Sequence, residues 1–576
     1  DGTIAPAAQL FIGEDRFKAR KLAVAKLEEE GLLIKKQDYI NKVGRSERTK
    51  AIIEPRLSLQ WFVDMKKFFA KNPQVLDDVM EDKIKFYPAK FKNTYKHWID
   101  NVRDWCISRQ LWWGQRIPAW YDEKGNLVAV AKTEAEALAK FKAENPKLEI
   151  GNLKQDEDVL DTWFSSWLWP ISVFDGFENP SNKDIQYYYP TNDLVTAPEI
   201  MFFWVMRMIM AGYEWRGQMP FRNVYYTGIV RDKLRRKMSK SLGNSPEPLE
   251  LIEKFGADGV RMGMLLCSPA GNDILFDEKL CEQGRNFSNK LWNALRLIKG
   301  WEIKDGENAA NRTSIEWFES KLNKTVTELN GQFESFRLSE ALMTVYKLAW
   351  DDFCSWYLEL VKPDYQQAID RYTYDKTIDA FEKLVQLLHP FMPFITEEIW
   401  HTLRERKDGE SINLSQWPQA GTINEPLLSE AQLSFDLITN IREIRARANK
   451  KNTETVDAFY VQTGNESFNA FAEKIAKLAR LDKLEEVKED KHGMKTFITG
   501  SFKFFIATGE VANEGEEKKR LQSELEYARG FLASVERKLA NEKFVSSAPP
   551  AVVESEKKKR EDALRKIAVL EQSLQS

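Results

Sequence analysis

The sequence predicts a chain of mixed class, an α/β region followed by an all-α region, then a small α/β module and a helical hairpin. Three patterns carry this prediction. Short apolar runs such as Asn223–Val230 alternate with amphipathic stretches over residues 96–279, which is typical of an α/β sheet domain. Apolar residues every three or four positions over 280–429 indicate a helix bundle, and the same spacing returns over 514–576.

Length and composition bound the class of protein. A chain of 576 residues is too long for one core and predicts roughly three to five domains. The hydrophobic fraction of 43% and charged fraction of 30% are typical of a globular protein. The most apolar window, Ile200–Ala211, is interrupted by Arg207 and predicts a buried helix rather than a membrane span. A net charge of -3 gives no global nucleic-acid signal, so RNA binding would depend on local basic patches.

The segments follow one another in a definite order. Residues 1–30 have a helical pattern that closes near Gly31, and residues 31–95 are treated as a connecting segment. In the bundle, Pro390 and Pro393 should kink or start a helix. Residues 430–513 combine one helical stretch with alternating runs, which predicts the small α/β module.

The last segment, 514–576, predicts two antiparallel helices. Its apolar helical spacing is broken by Ser546-Ser-Ala-Pro-Pro550 and then resumes, which indicates a coiled-coil hairpin with a proline turn. Its charges nearly balance, with thirteen basic and twelve acidic residues, so on pattern alone a solvated coiled coil is favoured over an RNA-binding arm.

One segment carries the chemistry, and we call it the basic loop: residues 228–244, Gly-Ile-Val-Arg-Asp-Lys-Leu-Arg-Arg-Lys-Met-Ser-Lys-Ser-Leu-Gly-Asn. It follows a strand-like run and has six basic residues among the ten from Arg231 to Lys240. Such a run is often a solvated surface. A loop that ends a strand and separates lysines by small hydroxyl residues also suits a polyphosphate, because ammonium groups can stabilise charge that develops on a leaving group.

Lys237-Met-Ser-Lys-Ser241 resembles the KMSKS signature of the class I aminoacyl-tRNA synthetases. The resemblance implies that Lys237, Met238, Ser239, Lys240 and Ser241 bind ATP, whose magnesium ion travels with the nucleotide. Lys240 would bind the phosphates during amino-acid activation, and Lys237 would assist it as a second catalytic group. Arg235 stands where a glycine commonly precedes this signature, which should alter the flexibility of the loop.

Six further sequence motifs resemble the valyl branch of that family, and the resemblance covers nearly the whole chain. It implies ATP-dependent activation of valine to valyl-adenylate and transfer to tRNA(Val), by a monomer that binds neither DNA nor membrane. Residues 1–30 would end an editing domain, 96–279 would be the second half of a Rossmann-like catalytic domain, 280–429 would bind the anticodon, and 514–576 would contact the tRNA. The motifs that carry this resemblance are Asp104–Pro118, Asp158–Ser166, Thr196–Trp204, Ser268–Asp273, Leu387–Trp400 and Lys538–Phe544.

By the same resemblance, Trp163 and Trp204 form walls of the valine pocket, and Pro198 and Glu199 hold the adenylate ribose. Simpler interpretations stay open. With eighteen tryptophans, most must belong to the core. Glu199 could equally be a carboxylate at a helix N-terminus, and Asp161 could be a capping residue.

The sequence also departs from the family. None of its four histidines begins a HIGH signature, so the first half of the ATP site is expected to lie outside this chain, which alone should be inactive. Gly13–Arg20 resembles the stretch just after the hydrolytic pocket of the editing domain, so most of that domain is expected to lie outside it as well. Ser46 and Thr49 stand where some relatives have zinc-binding cysteines, and no C-x-x-C pair occurs, so no metal is predicted. The four separated cysteines favour a reducing cytoplasm.

Two alternatives remain. An isoleucyl-type sister ligase would keep the KMSKS signature but should differ in its pocket and usually has a cysteine-based zinc tail. A non-catalytic tRNA-binding protein derived from a synthetase would explain the lost HIGH signature, although it would have little reason to keep Lys237-Met-Ser-Lys-Ser241.

Overall fold

The computed structural model describes residues 2–46, 49–53, 57–147, 150–239, 242–268, 270–451, 453–509, 514–547 and 550–575. These residues form two compact units. The first contains residues 1–63, 106–112 and 117–159, and the second contains the rest of the chain. The division groups residues by proximity, and the domain limits given above stay predictions.

The main elements of the first unit are two helices and one small sheet. Helix Arg16–Glu29 begins where the Asp15 carboxylate accepts hydrogen bonds from the amides of Phe17 and Lys18, and it ends just before Gly31, as its sequence pattern predicts. Strand Ala119–Tyr121 lies between Leu127–Val130 and Lys154–Gln155, with antiparallel pairing on both sides. Helix Glu134–Glu144 begins at an N-cap threonine, Thr133. The described residues between 31 and 61 form no helix or strand.

The second unit opens with the α/β domain that the sequence predicts. Its parallel sheet has Phe221–Tyr226 at the centre, Lys85–Tyr87 on one side and Thr191–Thr196 on the other. Lys85–Tyr87 falls inside the segment 31–95 that was predicted to be a connection. Its pairing with the central strand shows that the sheet begins before residue 96. The helices of this domain are Met65–Lys71, Gln74–Met80, Phe91–Asp100, Thr162–Ser166, Trp169–Ser172, Lys183–Tyr188, Met206–Arg216, Pro248–Phe255 and Ala257–Leu266.

The apolar window Ile200–Ala211 forms a buried helix, as predicted. Residues Met206–Gly212 are all buried, and Arg207 is buried among them. A π-helical turn, Met201–Val205, precedes this helix. Such turns interrupt the regular hydrogen-bond ladder and occur frequently at functional sites.

The helix bundle has the core that the sequence spacing predicts. Phe287, Leu291, Ala294, Leu295 and Ile298, which recur along one face, are all buried in it. Pro393 occupies the first turn of its helix, where proline is tolerated because that amide has no helical partner. The helices are Glu278–Lys299, Ala309–Glu334, Leu338–Lys347, the π-helical Leu348–Tyr357, Leu358–Val361, Arg371–Leu388 and Pro393–Leu403.

A four-stranded sheet follows the bundle. Its strands lie in the order Leu481–Glu486, Val456–Gln462, Phe502–Ala507 and Lys495–Thr499. Val456–Gln462 pairs parallel with Leu481–Glu486 and antiparallel with Phe502–Ala507. Helices Glu425–Arg447 and Ala472–Ala479 accompany this sheet.

The chain ends in two long helices, Glu514–Leu539 and Pro550–Gln575, with a short helix Glu542–Ser547 between them. Ion pairs Lys566–Glu524 (2.9 Å), Arg560–Glu536 (3.4 Å) and Lys538–Glu556 (3.5 Å) join the long helices. Partner numbers rise on one helix as they fall on the other, so the helices run antiparallel. An apolar cluster holds their base against Ile498 of the sheet; its buried members are Leu521, Leu525, Ala528, Ile567 and Leu570.

Candidate active site

Three segments leave the same edge of the parallel sheet, and two of them belong to the predicted site. Thr196 and Tyr226, the last residues of neighbouring strands, are register partners, and the Thr227 amide donates to the Thr196 carbonyl at 2.8 Å. The Pro198–Ile200 turn therefore begins beside the root of the basic loop. Lys90 follows the third strand, and its ammonium donates to the Gly271 carbonyl at 3.1 Å. In open α/β sheets, ligands bind outside the carboxyl ends of the strands.

The root of the basic loop is fixed to the sheet by close backbone contact. A Cβ atom on Gly228 would lie 1.6 Å from the Asn272 carbonyl oxygen, so glycine is required there. Strand Val230–Arg231 then pairs parallel with Ile274–Leu275. The Arg231 guanidinium also forms an ion pair with Asp273, which lies in the same neighbouring segment.

Asp232 organises the first half of the basic loop. One carboxylate oxygen accepts from the backbone amides of Leu234 and Arg236, each at 2.9 Å. The other oxygen accepts from the Asn244 amide at 3.0 Å and the Arg236 guanidinium at 2.8 Å. These donors, Asn244 first, hold the pKa of the Asp232 carboxyl below its ordinary value. Asp232 is therefore an anion that shapes the loop.

Asn244 closes the loop on itself. Its carbonyl oxygen accepts from the Ser239 amide at 2.9 Å, and its amide group also reaches the Lys237 carbonyl at 3.3 Å. Met238 packs against the apolar cluster formed by Leu251 and Phe255. Asn244 thus holds the described part of the predicted signature, at the Lys237 carbonyl and the Ser239 amide.

The anchored loop exposes positive charge. Lys237 is exposed and, within the part of the chain that the structure describes, has no carboxylate partner. Lys233 instead pairs with Asp277 at 3.2 Å. Lys240 and Ser241 lie outside the described residues, so their predicted role stays a prediction.

Arg235 adopts a left-handed backbone conformation, with φ of 63°. It stands at the position where the KMSKS signature is commonly preceded by glycine. A left-handed residue other than glycine carries roughly 1–2 kcal/mol of strain. The arginine is tolerated because its amide donates to the Asp232 carbonyl at 2.8 Å and its carbonyl accepts from Arg231 at 3.2 Å.

The two predicted pocket tryptophans belong to separate aromatic pairs. Trp163 stacks on Phe203, with ring centroids 6.0 Å apart, and we call these two rings the aromatic face. Trp204 stacks on Trp169 at 5.9 Å, and its indole donates to the Ser166 carbonyl at 3.2 Å. Both predicted residues are half-buried rather than fully enclosed in the core, so each leaves part of a ring accessible.

Pro198 and Glu199 form a single 3-10 turn directly after the strand that ends at Thr196. The Glu199 side chain is exposed, in the first turn of this short helix. The turn therefore lies at the expected edge, while the ribose contact proposed for it stays a prediction.

Two further features were not predicted from sequence. Lys90 reaches this edge from a strand whose three residues carry no clear alternation. Asp161 was considered only as a capping residue, but its side chain does not cap the helix that follows. It is buried, and it accepts from the Trp105 indole at 2.9 Å. The sequence did offer one indication of this role, because Asp161 is a carboxylate within an aromatic-rich motif, Asp158–Ser166.

The described residues do not assemble a metal site. No group of three or more His, Cys, Asp or Glu side chains that could hold a metal ion occurs among them. The Ser46 hydroxyl instead accepts from the Thr49 amide at 3.3 Å, as in an ordinary turn. The absence of zinc remains a prediction. No described helix is long and apolar enough to cross a bilayer.

Three family models match the chain in sequence. The model described as tRNA synthetases class I (I, L, M and V) matches residues 18–277, the anticodon-binding domain of tRNA ligase matches 316–460, and the valyl tRNA synthetase tRNA binding arm matches 515–576. In this order they describe a class I tRNA synthetase with a helical anticodon-binding domain.

Curated relatives narrow the assignment. A valine–tRNA ligase of Parabacteroides distasonis is 54% identical over 100% of this chain and 65% of its own length. One from Phocaeicola vulgatus is also 54% identical with the same coverage, and one from Chlorobaculum tepidum is 38% identical over 98% of this chain and 64% of its own. The chain belongs to the valine–tRNA ligase family, and it spans about two thirds of the length of these relatives.

Solved structures show weaker similarity. A leucyl enzyme (LeuRS) from Agrobacterium radiobacter K84, in a ternary complex with tRNA, matches with a TM-score of 0.43 and 17% identity, over 70% of this chain and 55% of that one. A Mycobacterium tuberculosis methionyl-tRNA synthetase bound to methionyl-adenylate matches with a TM-score of 0.46 and 18% identity, over 62% of this chain and 66% of that one.

Proposed function

We propose that this chain supplies the KMSKS half of a valine–tRNA ligase, which forms valyl-adenylate from valine and ATP and transfers the valyl group to tRNA(Val). The observation that carries the proposal is the shared sheet edge. The basic loop and the Pro198–Ile200 turn leave neighbouring parallel strands whose ends are paired in register. A polyphosphate at one segment and a ribose at the other would then belong to one nucleotide.

The lysines of the basic loop supply electrostatic stabilisation. Lys240, assisted by Lys237, binds the phosphates of ATP and stabilises the charge that develops on the leaving pyrophosphate. Met238, Ser239 and Ser241 complete the ATP-binding segment. Magnesium would arrive on the phosphates of the nucleotide, as the resemblance to the family implies.

The amino acid and the ribose have separate places. Trp163 and Trp204 wall the pocket that receives the valine side chain, because half-buried rings offer apolar surface without filling the space in front of them. Pro198 positions the turn, and the exposed Glu199 carboxylate can accept hydrogen bonds from ribose hydroxyls.

The tRNA contacts lie in the bundle of residues 280–429 and the coiled-coil arm of residues 514–576. Sequence matches to an anticodon-binding domain and to a tRNA binding arm support these roles. Several lysines and arginines of the arm are already paired with glutamates, so shape and a few phosphate contacts would carry its binding rather than bulk charge. We place the enzyme, as a monomer, in the reducing cytoplasm, and we expect no zinc.

The test is valine-dependent exchange of pyrophosphate into ATP. We define the completed enzyme as this chain joined to the part of the P. distasonis valine–tRNA ligase that it does not match. The chain alone should give no exchange, because none of its histidines begins a HIGH signature. The completed enzyme should give exchange that is strongest with valine. Strongest exchange with isoleucine would assign the chain to the sister ligase, and tRNA binding without exchange would support a non-catalytic protein.

A further inference from the structure

A buried charged pair lies behind the aromatic face. The Arg207 guanidinium lies 3.6 Å above the Trp105 ring, and its NH1 is 3.5 Å from an Asp161 carboxylate oxygen. The same oxygen accepts from the Trp105 indole at 2.9 Å. The side chains of Arg207 and Asp161 are only 5% and 8% exposed. Three residues distant in sequence therefore form one closed unit.

Each charged member of this unit belongs to a segment that carries one ring of the aromatic face. Asp161 directly precedes helix Thr162–Ser166, which carries Trp163. Arg207 lies in the helix that directly continues the π-helical turn Met201–Val205, which carries Phe203. The guanidinium is itself 5.5 Å from the Phe203 ring centroid. Tying Asp161 to Arg207 thus fixes the spacing of Trp163 and Phe203.

A contribution to folding stability does not explain why this charged pair is buried here. Removing two charges from water costs several kcal/mol per ion, and well-packed apolar residues often replace such pairs without loss of stability. The Trp105 ring packs in T-shaped contacts on Phe164 and Trp167, at 5.5 and 5.3 Å between centroids, and Phe164 lies tilted against Trp167 at 5.1 Å, so aromatic packing already surrounds the pair. The charges instead fix the orientation of the two segments that carry them, because a planar guanidinium stacked on an indole is held in one orientation.

We propose that Asp161 and Arg207 are positioning residues for valine selection: they hold Trp163 against Phe203 at the distance that the side-chain pocket requires. This inference rests on the proposed function, since it assumes that the aromatic face borders the valine pocket. Neither residue touches the substrate. Their effect passes through the two rings that they hold.

The test compares steady-state exchange kinetics of completed-enzyme variants. Arg207→Met should raise the KM for valine by about tenfold or more, because displaced rings lose contact with the valine side chain and contact worth about one methylene changes discrimination by roughly 10–200-fold. The KM for ATP should change by less than about twofold, since the phosphates meet the basic loop. Asp161→Asn should act in the same direction. Arg207→Lys should recover part of the loss, because it keeps the charge without the planar stack.

A matched control exists in the helix bundle. Arg406 stacks on Trp400 at 3.3 Å and pairs with Glu382, so an arginine again contacts both an indole ring and a carboxylate. Arg406→Met should lower the thermal stability and leave both KM values unchanged.

The outcomes separate this inference from the proposed function. If active-site titration of Arg207→Met shows fewer competent sites with an unchanged KM for valine, the pair only supports the fold and the inference is overturned. A completed wild-type enzyme without valine-dependent exchange would overturn the proposed function itself. A selective rise in the KM for valine, with a lower preference for valine over isoleucine, supports the inference.

Discussion

At the scale of single residues, different side chains of the basic loop hold its backbone and supply its exposed positive charge. Asp232 and Asn244 hold the backbone through hydrogen bonds, while Lys237 stays exposed. Sequence reasoning found the lysines because the signature is a contiguous word. It did not find the role of Asp232, because a hydrogen-bond hub is defined by where backbone amides point and not by any spacing in the chain.

The lysine role gives the first prediction. In the completed enzyme, Lys240→Ala should lower the rate of valyl-adenylate formation by roughly two to four orders of magnitude, since it removes a full charge from a preorganised site. Valine binding should change little. Pyrophosphate exchange measures the rate, and equilibrium dialysis measures valine binding. Lys233→Ala is the matched control: Lys233 already pairs with Asp277, and its loss should cost about twofold or less. Intact exchange in Lys240→Ala would disprove the phosphate role.

Asp232, which accepts four hydrogen bonds within the loop, gives a second prediction at this scale. Asp232→Ala removes the acceptor for two backbone amides and two side chains, so the loop should open. Trypsin should then cut between Arg231 and Lys237 at least about tenfold faster, because proteolysis follows the population of the open form. Asp232→Asn keeps an oxygen for the amides but loses the charge that faces Arg236, and it should be intermediate. Equal cleavage of all three proteins would show that Asp232 does not hold the loop.

At the scale of elements, periodicity predicts the long amphipathic helices well and the short strand Lys85–Tyr87 poorly. Helix Glu278–Lys299 buries the five apolar residues that its spacing indicates. Strand Lys85–Tyr87 has only three residues, too few to show alternation, and its partners lie more than 100 residues away. A segment whose structure depends on distant pairing carries little local signal.

The π-helical segment Leu348–Tyr357 gives an element-scale prediction. Burial raises the pKa of Asp352 to about 6, although Lys321 lies 3.4 Å away. The unfolded carboxyl titrates near pH 4. The folded state therefore takes up the proton first as pH falls, so this group lowers stability above pH 6 and the penalty disappears toward pH 4.

Asp352→Asn should accordingly raise the free energy of unfolding by about 3 kcal/mol at pH 7.5 and by about 1 kcal/mol at pH 4.5. Scanning calorimetry of the transition that includes the bundle measures this difference. Asp351→Asn, at the exposed neighbouring position, removes only the smallest cause of the raised pKa of Asp352, so it should give a smaller difference of the same sign. A stabilisation that is equal at both pH values would rule out the burial explanation.

At the scale of the whole molecule, the base of the terminal helices rests on the four-stranded sheet through Ile498. Deleting residues 514–576 from the completed enzyme should leave adenylate formation intact. Affinity for tRNA(Val) should fall and lose part of its salt dependence, because phosphate contacts are lost. Filter binding at several salt concentrations measures both. Normal charging of tRNA by the truncated enzyme would leave the hairpin as a solvated coiled coil.

A substitution at the base of the arm tests the docking rather than the arm itself. Ile498→Asp places a charge in the apolar cluster with Leu521 and Leu570 and should reduce tRNA affinity in the same direction as the deletion. Ile498→Val keeps the contact and should bind tRNA as the unmodified enzyme does. Loss of exchange in Ile498→Asp would show that the substitution disturbs more than the arm.

Metal content is a property of the whole chain. Purified protein should contain no stoichiometric zinc, since Ser46 and Thr49 stand in the places of thiolates and no C-x-x-C pair occurs. Elemental analysis after washing with a chelator checks this. About one zinc per chain would contradict it and would point to ligands that the sequence pattern does not reveal.

The tight approach at Gly228 has a consequence for motion. The backbone at Gly228 lies so close to the Asn272 carbonyl that a Cβ atom would not fit between them. The two segments therefore cannot slide past each other without losing their pairing at Val230 and Ile274. The loop therefore has its pivot beyond Arg231, not at the glycine itself. Backbone relaxation in solution should divide there: residues up to Arg231 would keep the timescale of the sheet, and any microsecond exchange during nucleotide binding would begin at Asp232.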